Sequence, residues 1–171
     1  MARRRGPGGD LRVDANSGLS VHRTITVGRL LQDQGIGHDE EPLASWEQQQ
    51  RPEVTAAPDL DVTGGEPEGD MVTSSRMIDL RAVDSVQPDV RYMGGISRMM
   101  AVAQKVMAGP PCTPPADNLS LVTICTMHPM CALPDAGKYP ELSIKGDERY
   151  QGPRDLFVAT PCALDASHVT L

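Results

Sequence analysis

The sequence predicts a mostly disordered chain holding one small α+β element (a helix at 96–108, a strand at 119–125 and short C-terminal strands). Three observations predict it. Aromatic residues make up 3% of the 171 residues, and large rings supply much of the buried area of ordinary cores. Sixteen glycines and fifteen prolines interrupt the chain, more punctuation than an average globular mixture carries. Charge is segregated. Residues 1–34 hold six Arg against three Asp, whereas residues 35–70 hold ten acids against Arg51 alone. Ordering each residue costs about 1–2 kcal/mol of backbone entropy, which scattered Val, Leu and Met are not expected to offset everywhere.

Taken in order, residues 1–18 read as a basic flexible arm opened by Arg3, Arg4 and Arg5. Residues 19–34 read as a short strand–helix unit. Leu19 to Val27 alternates apolar and polar, as a half-buried strand does. Val27, Leu30 and Leu31 then take helical spacing, with Thr26 as a start and Gly35 as a stop. Residues 35–70 read as an acidic disordered linker broken by Pro42, Pro52, Pro58, Pro67 and Gly64-Gly65. Its single tryptophan, Trp46, is the candidate anchor of a linear motif.

Residues 71–108 form the expected helical segment. Ile96, Met99, Met100, Ala103, Val106 and Met107 make one apolar stripe, stopped by Gly109-Pro110-Pro111. Residues 109–118 read as a Pro-rich linker. Residues 119–171 read as a short-strand region that begins with the β-branched, uncharged run Leu119 to Cys125. No internal repeat is apparent.

Cys125, His128 and Cys131, with Met127 and Met130 between them, form a soft ligand set suited to Zn or Cu(I). Pro129 argues against a helix through them, so a turn at His128-Pro129 would be needed to bring them together. Cys125-Thr-Met-His-Pro129 resembles the opening of heavy-metal-binding segments in bacterial copper efflux proteins, and Gly137-Lys138-Tyr139-Pro140 matches a later stretch. The resemblance is short. Tyr139 and Leu142 stand where that family has cysteines, which removes half its ligands and any claim of membership.

No nucleophile elbow, phosphate-cradling glycine loop, zinc-protease motif or dinucleotide fingerprint is present. The chain therefore reads as a non-enzymatic interaction protein without a cofactor. It would bind a protein partner through Ile96, Met99, Met100, Ala103 and Met107, or through Trp46. The alternatives are a small Zn or Cu(I) module at Cys125, His128 and Cys131, and the product of a non-selected reading frame with no function. Nucleic acid is disfavoured because three arginines lack interleaved aromatics. No run of apolar residues is long enough to span a membrane and no leader is recognisable. A cytoplasmic chain with reduced thiols is expected.

Overall fold

Four short strands lie side by side in chain order, each parallel to the next. They are β1 (Val13–Asp14), β2 (His38–Glu40), β3 (Asp61–Gly64) and β4 (Ser85–Val86). The computed structural model describes residues 11–106, 109–116, 121–134, 136–137, 163–165 and 168–170, the last two stretches and 48–51 as backbone alone. Parallel neighbours need a crossover, and helices supply it: α1 (Val21–Asp33) between β1 and β2, a 3-10 turn (Ser45–Gln50) with α2 (Arg51–Ala56) between β2 and β3, and α3 (Met71–Asp79) between β3 and β4. Past β4 come α4 (Ile96–Val106) and α5 (Leu121–Ala132). Isolated parallel bridges extend the ladder from Val86 to Cys112 and from Cys112 to Ala136. Strands β5 (Ala163–Asp165) and β6 (His168–Thr170) form a separate antiparallel pair.

The register assigns the two faces. Val13 pairs with Asp39 and Asp39 with Val62, while Asp14 pairs with Glu40, Glu40 with Thr63 and Thr63 with Ser85. Because side chains alternate along a strand, Val62 and Val86 point to one face, and Glu40, Thr63 and Ser85 to the other. The apolar face carries the core, where Val86 joins Met77, Met93, Met99, Val102 and Val106 with Val122 and Cys125 packed alongside. Met77, Met93 and Met99 are fully buried. Flexible thioethers thus fill the volume that aromatic rings fill elsewhere.

This architecture overturns the disordered reading. Residues 35–70 contain β2, α2 and β3, with Leu43, Val54 and Val62 buried. Their acids sit on a folded frame because the apolar residues between them are buried, Val54 from α2, Val62 from β3 and Leu43 from the turn after β2. Of the expected strand at Leu19–Val27, Leu19 alone makes a β-bridge, parallel to Leu43, and residues 21–27 lie in α1 behind the N-cap Ser20. There Thr24 and Gly28 form the buried, helically spaced pair, and a Cβ on Gly28 would meet Pro58 at 3.1 Å. A face of small residues gives little apolar periodicity to read.

The helix at 96–108 is found as α4 over Ile96–Val106, with 107–108 outside the described residues. The expected strand at 119–125 is helix from Leu121 on, and Pro129 lies inside that helix. Packing of Val122 and Cys125 against the core outweighs both β-propensity and the lost hydrogen bond. Leu119 and Ser120 lie outside the described residues, as do the runs from Tyr139 to Ile144 and from Leu156 to Thr160, which the sequence offers as the short C-terminal strands.

Candidate active site

The C-terminal ends of parallel strands are where β/α folds place their chemistry. Each of the four strands leads to a carboxylate there. Asp14 is the last residue of β1 and Glu40 the last of β2, and the two face each other in register. Glu66 follows β3 across Gly65, and Asp89 follows β4. Gly65 has φ +111 and a Cβ there would come within 2.6 Å of the Met77 methyl. The turn that delivers Glu66 therefore requires glycine.

Protein donors hold each carboxylate. Asp14 accepts the Asn16 backbone N–H at 2.7 Å, with the Asn16 side-chain amide on its other oxygen. Glu40 Oε1 accepts from Gln87 Nε2 at 2.7 Å, and its Oε2 lies 3.9 Å from His38 Nε2. His38 Nε2 is also 3.1 Å from Thr63 Oγ1. Further across the face, Ser85 Oγ pairs with Thr113 Oγ1 at 3.1 Å and donates to the Pro111 carbonyl at 3.2 Å. Asp89 is buried and receives the Arg91 fork, Nη2 at 2.6 Å and Nε at 3.1 Å from Oδ2. The same guanidinium reaches to 3.8 Å from Glu66 and stacks 5.6 Å from the Tyr92 ring centre. Below this mouth an open concavity is lined by Arg12, His38, Asp61, Thr63, Ser85 and Thr113.

The neighbouring acid, Asp39, points the other way. Burial pushes its carboxyl up to about 6, against a lowering by His38, and both its oxygens are buried without a partner among the described residues. Burial also pushes the Cys112 thiol up to about 12, which leaves it an inert thiol rather than a nucleophile.

The residues singled out from sequence lie elsewhere. Met99 and Ala103 are buried in the chain's own core, Met100 is half-buried and Ile96 exposed; Met107 is outside the described residues. α4 packs on α3 and α5, so the stripe's central residues are already covered. Trp46 stands exposed beside β2. Cys125, His128 and Cys131 ride on α5, with Cys125 turned to the core and His128 and Cys131 exposed. Among the described residues no three His, Cys, Asp or Glu side chains converge as metal ligands, and the soft-metal reading has no support. The four acids of the mouth are hard oxygen donors, the type Mg2+ takes. Their donor chemistry fits such a cation, while protein partners set their present spacing.

Fold and mouth together define an α/β enzyme-type domain, helices outside and acids at the strand ends. The chain belongs to the enolase C-terminal domain-like family, whose profile matches residues 1–170. It is 33% identical over 98 residues to the D-galactarolactone cycloisomerase of Agrobacterium fabrum, covering 57% of this chain and 26% of that enzyme. A candidate racemase of Roseobacter denitrificans superposes with a TM-score of 0.88 at 50% identity, over 96% of this chain and 45% of the other. A mandelate racemase/muconate lactonizing protein of Paracoccus denitrificans PD1222, solved with magnesium, gives 0.76 at 32% identity, over 82% and 38%. The chain thus spans less than half the length of these relatives. The non-enzymatic reading falls, because the homologues are enzymes. Among the described residues no helix is long and apolar enough to cross a membrane.

Proposed function

We propose that the chain supplies the cation-binding side of an enolase-type active site, acting on a carboxylate-bearing sugar acid or its lactone by removing the proton beside the carboxylate. The single observation that carries this reading is the recurrence of a carboxylate at the C-terminal end of each of four adjacent parallel strands. Enolase-type sites pair one or two Mg2+ ions with a Lys or His base, and the magnesium in the Paracoccus structure supports the same ion here. Asp14, Glu40 and Glu66 would hold it. When bound, the cation offsets the negative charge that builds on the substrate carboxylate as the proton leaves.

The chain's own residues set up that site. Gln87 and His38 fix the rotamer of Glu40, and Thr63 in turn fixes the His38 ring. Asn16 holds Asp14 at the mouth. Lys105 is remote from this chemistry, paired with Asp79 on the outer helices. The reduced thiols Cys112, Cys125 and Cys131 suit a cytoplasmic setting.

Calorimetric titration with MgCl2 tests the reading. The full chain should bind one ion, and Glu40→Gln should weaken binding about a hundredfold or more, as loss of a charged ligand outweighs loss of a supporting hydrogen bond. Binding unchanged in Glu40→Gln would reject the site.

A further inference from the structure

The mouth contains a cation of its own. Arg91 is anchored on the buried carboxylate of Asp89 through two nitrogens and leans 3.8 Å from Glu66, with the Tyr92 ring beneath it. Asp89 also accepts the Tyr92 backbone N–H at 3.3 Å, so the anchor is fixed by the turn after β4 and Arg91 is held at the mouth. Its guanidinium is permanently charged and its planar fork meets one carboxylate while an edge faces another. Glu66 is one of the acids assigned above to the divalent cation.

We infer that Arg91 is a positioning residue that occupies the Glu66 side of the acidic mouth as a built-in counter-cation, and that a divalent ion must displace it from Glu66 to bind. The inference rests on Glu66 being a cation ligand. Its consequence is competition between arginine and ion for one carboxylate, with Asp89 keeping the displaced Arg91 close by. The exposed edge of that guanidinium, 38% accessible, is then turned to solvent at the mouth, where an anionic substrate enters.

The test is MgCl2 titration by calorimetry of the full chain, of Arg91→Lys, and of the double variant Asp89→Asn/Arg91→Met. The double variant leaves no unpaired buried charge and the same net charge, so any gain in affinity is not bulk electrostatics. It should bind Mg2+ about tenfold more tightly than the unmodified chain, the size of an ordinary coupling between two ligands of one site. Arg91→Lys, a point charge without the fork, should fall between them. In nitrogen–proton spectra of the unmodified chain, one arginine Nε–H signal, missing from Arg91→Lys, should move in step with Mg2+ binding. Equal affinity of the unmodified chain and the double variant, or an arginine signal that stays put, overturns the inference. Glu66→Gln separates the two claims. If it abolishes binding while the double variant matches the unmodified chain, the cation site stands and the role of Arg91 falls. If Glu66→Gln binds as the unmodified chain does, or no chain binds Mg2+, both fall.

Discussion

Asp39 and Glu40 are neighbours on one strand and live in opposite worlds. Glu40 points to the polar face, where Gln87 and His38 meet it. Asp39 points to the helix side, where burial raises its carboxyl to about 6 and its oxygens find no partner among the described residues. Identical chemistry is useful on one face and costly on the other, because a buried polar group without a hydrogen bond forfeits its hydration. The face of the sheet, rather than the acidity of the segment, decides what each charge does.

The largest effect should come from placing a charge on the apolar face. Met99→Asp puts a carboxylate among fully buried methionines and should cost about 4 kcal/mol or more, enough to unfold the chain in a urea melt. Arg98→Asp, on the exposed side of the same helix, should cost far less. Equal losses would break the two-faced description.

Removing the misplaced charge should go the other way. Asp39→Val should stabilise by about 1–3 kcal/mol at pH 7, read from denaturation midpoints. The sign with pH follows from a folded pKa raised above its unfolded value of 3.8. Protonation favours the folded chain, so this position's penalty is full above about 6 and fades as pH falls from 6 towards 3.8. The stabilisation gained from Asp39→Val should therefore be smaller at pH 4.5 than at pH 7. An Asp39→Val gain that is the same at both would place the cost elsewhere.

The smallest effect should be at Trp46, 84% exposed. Trp46→Ala should change stability by about 0.5 kcal/mol at most and leave Mg2+ binding intact. A large loss would mean that this ring is covered.

Much of the site was present in the sequence in a form that periodicity does not expose. Asp14, Glu40, Glu66 and Asp89 recur at a near-constant spacing of roughly 25 residues, the length of one strand–helix unit. Each strand is so short, two to four residues, that alternation cannot declare itself. The acids of 35–70 therefore look like a solvated run when they are distributed over the strands, helical turns and loops of a folded frame. The helix at 96–106 was legible because its stripe spans three turns. The aromatic deficit misled because Met77, Met93 and Met99 do the filling. The Cys125–Cys131 cluster was real as a pattern, but a helix strings it along nearly two turns, with Cys125 turned to the core and His128 and Cys131 to solvent, which no spacing rule that assumes a turn at Pro129 anticipates.

The measurement that bears most directly on the whole account is paramagnetic broadening by Mn2+, standing in for Mg2+, across the amide spectrum of the isotope-labelled chain. At substoichiometric Mn2+, signals near Asp14, Glu40 and Glu66 should vanish first and together, while those of the outer helix α4 and of Cys131 persist. That pattern requires three distant stretches of sequence to meet at one end of a parallel sheet and to share one hard cation. Broadening centred on residues 125–131, or none at the three strand ends, would contradict it.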